Sequence, residues 1–278
     1  MALHGHDKLP PTELRDARIQ LHWAAQVLSA AADRWLQALP DDGHTNMAWS
    51  SDAGALIGNA VASGLQLALA VRDFELRAVL GSRTVAALAL TGQTLAEAMR
   101  WADAQLAGAE GGPARGIQAR DYDMPEHPVR GGAAFSPDPL ALAELAGWFA
   151  HGDAVLRKIA AGTERTLPVR VWPHHFDAGS IRYLAEPGPS SPQIGFGLSP
   201  GDRYYEQPYF YVTAFPLRPD PQFPALPDGG FWREHEPFVG AVLLGSAIAA
   251  ATDPHAASRR FLESAIAAGH ALTGQAAR

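Results

Sequence analysis

Leu65-Gln-Leu-Ala-Leu-Ala-Val71 and Phe74-Glu-Leu-Arg-Ala-Val-Leu80 flank the pair Arg72-Asp73. Each run is rich in aliphatic residues, and the two charges between them mark a reversal. The stretch therefore reads as two antiparallel strands joined by a tight hairpin. Val85 to Leu90 extends it as a third apolar strand. Next comes Thr94-Leu-Ala-Glu97, a capping box opening a helix to about Leu106. Upstream, residues from about Thr12 to Leu39 carry Leu14, Ile19, Leu21, Ala25, Leu28, Ala32, Trp35 and Leu36 at roughly helical spacing, with Thr12 as cap and Pro40 as stop. Helix, antiparallel strands, helix is the order of an α+β fold in which helices cover the sheet.

The same order recurs in the second half. A helical pattern runs from about Pro139 to Ala161, and the strands are expected at Val169–Trp172, Ser180–Ala185, Gln193–Leu198, Tyr209–Phe215 and Phe238–Leu244. Asp253-Pro254 then opens a last helix through Leu272, with Asp as cap and Pro in the first turn. Trp23 and Trp148 have the same spacing as the Asp-Ala-Gly triplets at 52–54 and 177–179. Two landmarks with one offset point to an internal duplication. The expected organisation is an N-terminal tail (1–12), a first α+β repeat (13–110), a Gly/Pro-rich linker (111–137), and a second repeat (138–278) with a loop insertion at 216–237.

Composition narrows the function classes. The chain has 278 residues, 22 Lys plus Arg against 29 Asp plus Glu, a net charge of −7 and no cysteine. A thiolate nucleophile, a zinc finger and an iron–sulfur cluster held by thiolates are excluded. The acidic balance, with lysine only at Lys8 and Lys158, argues against nucleic acid as a partner. No signal peptide is legible at Met1, and the longest uncharged apolar run, Phe238 to Ala251, falls short of the ~20 residues that span a bilayer. A soluble cytoplasmic bacterial protein with no membrane partner is expected. Its oligomeric state is left open between monomer and homo-oligomer, and no cofactor is named by any motif.

Two motif matches fail on mechanism. Gly197-Leu-Ser199-Pro-Gly201 has the spacing of a serine-hydrolase elbow, but Pro200 lacks the N–H that the oxyanion needs. Gly195-x-Gly197 with Gly201 has the wrong spacing for a dinucleotide loop.

Three groups of residues resemble a family of uncharacterised bacterial proteins, a domain of unknown function. One is Leu21-His22-x3-Gln26. The second is Pro168-Val169 followed by Phe176-Asp177 and Arg182-Tyr183. The third is Gly195-Phe196 through Pro200-Gly201 with Glu206-x-Pro208-x-Phe210-Tyr211 and Ala214-Phe215-Pro216. The resemblance implies fold and cellular context and supplies no chemistry.

Aromatic and imidazole residues concentrate in the second half. His174 or His175 near Asp177 offers an imidazole that a carboxylate could orient, with Glu206 as a further oxygen ligand. His175, Asp177 and Glu206 are thus the catalytic candidates, with no metal ligands assigned. If the segment is a strand, His175 and Asp177 share one face and His174 the other. The competing reading has His175 and Asp177 ordering a bend by local hydrogen bonds. Candidate ligand-binding residues are His22, Trp172, His174, Arg182, Tyr209 and Tyr211. Each has a structural alternative: His22 as a core histidine, Arg182 as an ion-pair partner of Asp177 or Glu206, and the two tyrosines as core packing. Glu234, His235 and Glu236 are expected in a solvated loop. The leading expectation is a small-ligand binder with a pocket bordered by the second repeat. The alternatives are a metal-assisted or His/Asp acid–base enzyme, and a structural or partner-binding protein that uses the 216–237 insertion.

Overall fold

A computed structural model describes residues 11–188, 190–235 and 237–274, so most of the N-terminal tail and Glu236 lie outside the described residues. Among the described residues, two antiparallel sheets and five α-helices form an α+β fold. The chain divides into two compact units: residues 11–150 with 170–176, and 151–169 with 177–274.

In the N-terminal unit, helix α1 (Pro11–Trp35) precedes the strands β1 (Ala48–Ser50), β2 (Ala55–Ile57), β3 (Leu65–Ala70), β4 (Glu75–Leu80) and β5 (Arg83–Ala89), which pair in chain order. The hairpin at the centre is present, with Leu69 opposite Leu76 and Ala70 opposite Glu75. Its loop runs from Val71 to Phe74, and Phe74 adopts a left-handed φ of 48° with its ring buried against Phe135. Burial of an aromatic side chain outweighs the roughly 1 kcal/mol cost of that conformation. β5 starts at Arg83, two residues earlier than the apolar pattern, because Arg83 and Thr84 pair with Leu80 and Val79; the register shift at Ala78/Val79 leaves Val85 as the extra, bulged residue. Helix α2 (Leu95–Glu110) opens with the expected capping box, in which Glu97 N–H donates to Thr94 Oγ1 and Thr94 N–H donates to Glu97 Oε2. α1 and α2 pack on each other and on β3 and β4, which buries Leu14, Leu21, Leu28, Leu67, Leu69, Leu76 and Leu106.

The 111–137 segment is tied into this unit. Asp103 accepts hydrogen bonds from the Arg115 and Gly116 amides, Trp23 Nε1 donates to Pro125 O, and Phe135 pairs its backbone with Gly92 and Gln93.

Helix α3 (Pro139–Ala160) and the short strand β6 (Arg170–Val171) follow. The C-terminal unit contains β7 (Ala178–Tyr183), β8 (Gln193–Ser199), β9 (Tyr209–Phe215), β10 (Phe231–His235) and β11 (Phe238–Leu244), then α4 (Gly245–Ala250) and α5 (Pro254–Leu272). Its strands neighbour one another in the order β7-β8-β9-β11-β10. The insertion at 216–237 is therefore not only loop: β10 adds an edge strand to β11, from Phe231 opposite Val242 to His235 opposite Phe238. The sequence hid it because an edge strand exposes much of its length, so Arg233, Glu234 and His235 resemble a solvated loop. α5 covers β8, β9 and β11. Its start is as expected, with Asp253 Oδ1 accepting the Ala256 amide and Pro254 in the first turn.

Candidate functional site

The expected strand at Val169–Trp172 shortens to β6, and Trp172 to Phe176 closes a turn through Phe176 N–H to Trp172 O at 2.7 Å. Phe176 takes a left-handed φ of 60°. The chain thus bends where strand alternation would have set His175 and Asp177 on one face. His22 and Gln26, one turn apart on α1, both donate to Pro173 O, at 2.7 and 2.8 Å. His22 also stacks on Phe176, with ring centroids 4.7 Å apart and planes at 10°. The carbonyl partner requires the Nε2–H tautomer. Burial lowers the His22 pKa to about 4, beyond what the Pro173 bond restores, and nearby Arg18, His175 and His174 lower it further. A neutral His22 clamping a turn is a structural role, and it joins Leu21-His22-x3-Gln26 to the Trp172–Phe176 segment.

His174 and His175 are exposed and lie ring to ring at 4.4 Å. His174 also meets Trp172 at 6.1 Å and Tyr122 at 5.7 Å. Partial desolvation, then the neighbouring His175, lower its pKa, and Asp42 acts in the opposite sense. Close by in the fold, Arg120 gathers Asp33 at 3.2 Å, Asp42 at 3.1 Å and the Tyr122 hydroxyl at 3.1 Å. One guanidinium thus engages both carboxylates, which leaves the group with a net negative charge.

Asp177 and Glu206 belong to the C-terminal unit, whereas His174 and His175 belong to the N-terminal one. Asp177 accepts a short hydrogen bond from Tyr211 Oη, and Tyr209 Oη donates to Asp202 Oδ2 at 2.6 Å. Burial, then the adjoining carboxylates, raise both phenol pKa values, so each tyrosine is a neutral donor. Asp202 Oδ1 also takes the Tyr204 and Tyr205 amides, which fixes the turn before β9. Tyr211 needs glycine beneath it: a Cβ on Gly197 would lie 2.5 Å from its hydroxyl and 2.6 Å from Ala178 O. Glu206 is exposed. Arg182 donates to Ile159 O at 3.0 Å, to Thr163 Oγ1 at 3.2 Å and to Thr166 Oγ1 at 3.3 Å, so it closes the C-terminal end of α3. Desolvation lowers its pKa.

Sequence reasoning missed a cavity of about 250 Å³ in the C-terminal unit, lined by Val155 and Lys158 of α3 with Asp253, His255, Ala256 and Arg259 at the start of α5. None of the candidates named from the sequence lines it. Behind it, buried His151 places Nε2 3.0 Å from Ser258 Oγ and Nδ1 3.4 Å from His255 Nε2. Arg259 pairs with Glu263 at 2.8 Å. Lys158 has no carboxylate in ion-pair range among the described residues. The signal available in sequence was spacing: His151, Val155 and Lys158 lie on one face of α3, and His255, Ser258 and Arg259 on one face of α5. A wider, open depression of about 690 Å³ borders Glu126, His127, Pro128, Arg130 and Gly131, but its charges are consumed by the Glu126–Arg130 and Asp16–His127 pairs.

Among the described residues no group of three or more His, Cys, Asp or Glu is placed to hold a metal ion, and no helix is long and apolar enough to cross a membrane. No family model, no curated protein and no solved structure matches the chain.

Proposed function

We propose that this protein binds a small anion, a carboxylate- or phosphate-bearing molecule, in the cavity between α3 and the first turn of α5. The observation that carries this reading is Lys158, an exposed cation on the wall of a half-open cavity, with no carboxylate in ion-pair range among the described residues. A cation next to a cavity finds its counter-charge in a ligand, and charge-assisted hydrogen bonds contribute about 1.5–3 kcal/mol each. Arg259 and His255 supply further donors on the same wall. Asp253 opposes them with one negative charge, but its carboxylate is engaged by the Ala256 amide. The volume lies just below the usual range of ~300–1,000 Å³ for ligand pockets, which suits a ligand of few atoms. The equal strand order of β2-β3-β4-β5 and β7-β8-β9-β11 supports reading the chain as two copies of one unit, of which the second bears the site.

Thermal unfolding with inorganic phosphate, sulfate and succinate tests the proposal. At ten times Kd an anion stabilises by about 1.4 kcal/mol, roughly 3–5 °C in Tm for a protein of this size. Lys158→Met is expected to abolish the shift. Equal shifts in the variant and the parent protein would overturn the reading.

A further inference from the structure

Resting on that cavity reading, we infer that the site takes up a proton together with its anion, and that the accepting atom is Nδ1 of His255. The polarity of a hydrogen-bonded chain carries this. Ser258 Oγ donates its single proton to Pro254 O at 2.9 Å. It can therefore only accept from His151 Nε2, at 3.0 Å. His151 with its proton on Nε2 has a bare Nδ1, so His255 Nε2, 3.4 Å away, must be the donor. The chain runs in one direction from His255 through His151 and Ser258 to Pro254 O. It leaves the second nitrogen of His255, on a residue that lines the cavity, as a lone-pair acceptor.

Protonation at that nitrogen requires no rearrangement. The imidazolium keeps its Nε2–H bond to His151, and a charged donor makes that bond stronger. A second proton on His151 would put two N–H groups face to face, so the pair holds one added proton at most. Among the described residues, the charged groups around His255 decide when it binds. From α3, Lys158 opposes the charge. From α5, Asp253 favours it, and Arg259 is offset by Glu263. From β9, the Phe210 ring packs on His151, at 5.7 Å. Desolvation and Lys158 hold the empty site's His255 below the ordinary histidine range despite Asp253. An anion beside Lys158 removes that opposition, so His255 binds its proton more tightly when the anion is present. By linkage the anion then binds more tightly as pH falls.

Calorimetric titration of the full chain with sulfate, which does not itself titrate near neutrality, reads both quantities. Paired buffers of different ionisation heat give the proton count. Between the pKa of the empty site and that of the filled site, Kd is expected to rise about tenfold per pH unit, with uptake approaching one proton per sulfate. His255→Gln should bind more weakly, with a flat pH profile and no uptake. Sulfate binding without uptake in the parent protein would overturn the proton coupling and leave the anion site standing. Failure of both sulfate and phosphate to bind would overturn the site and the coupling together. A readout without ligand is the ¹⁵N spectrum of the imidazoles: both His151 and His255 should be Nε2–H tautomers at alkaline pH, and an Nδ1–H signal from either would overturn the direction of the chain.

Discussion

Replacing Asp103 with alanine should detach the start of the 111–137 segment and destabilise the N-terminal unit by about 3–4 kcal/mol. Asp103 is buried on α2 and accepts Trp35 Nε1–H at 2.8 Å, the Arg115 amide at 3.2 Å and the Gly116 amide at 2.7 Å. Hydrogen bonds to a charged acceptor contribute about 1.5–3 kcal/mol each. The three do not add fully, because the two backbone donors regain water when the loop opens. The buried Trp35 N–H does not. The Arg115 guanidinium, 4.0 Å from the Trp35 ring centroid, adds about 0.5–1 kcal/mol that leaves with the loop. Asp103→Asn isolates part of this: its oxygen can keep Trp35, but its amide meets the Gly116 N–H donor to donor, so a loss of about 2 kcal/mol is expected. Urea unfolding followed by tryptophan fluorescence gives the free energies, and hydrogen exchange at the Gly116 amide reports the loop directly. Burial raises the Asp103 pKa, but the bonds from Gly116, Arg115 and Trp35 more than offset this and leave it lowered. Its contribution is therefore present above the ordinary carboxylate range and disappears as pH falls through the lowered native value, and Asp103→Ala removes that share of the acid sensitivity. A loss under about 1 kcal/mol with Gly116 protection unchanged would refute the reasoning.

Other perturbations test separate parts of the account. His22 stays neutral in the fold down to about pH 4 while the unfolded chain protonates near 6.5, so stability should fall as pH drops through that window, by about 2 kcal/mol between pH 7 and pH 5. His22→Gln should lose less over the same range, and an identical pH dependence would exclude the neutral buried histidine. Gly197→Ala sets a Cβ against the Tyr211 hydroxyl and Ala178 O, and should lower the C-terminal unit's stability by about 1–3 kcal/mol in a chemical melt. A neutral result there would mean the Tyr211–Asp177 contact has room to spare. Arg182→Ala should fray the last turn of α3, seen as faster hydrogen exchange near Ile159, since its guanidinium holds that carbonyl.

What the sequence revealed was what local chemistry decides. The hairpin at Arg72-Asp73, the Thr94–Glu97 box and the Asp253-Pro254 start all depend on residues within a few positions of one another, and all three are present. β10 was illegible because its partner strand, and not its own apolar content, makes it a strand. The site was harder still. His174-His175-Phe176-Asp177 looks like a reactive run only if the chain is extended, and the left-handed Phe176 turns it aside. The imidazoles that share a hydrogen bond, His151 and His255, come from different helices 104 residues apart, and no local spacing connects them. His22 and Gln26 were visible as a pair, but their shared acceptor, Pro173 O, is a backbone atom that no side-chain pattern reveals.

The anion site is most directly tested by locating an anion. Crystals equilibrated with selenate, a sulfate analogue with an anomalous signal, should show a peak in the cavity within hydrogen-bond distance of Lys158 Nζ and on the side of His255. An empty cavity at a selenate concentration that saturates binding in solution, or a peak only at other surface cations, would contradict the account.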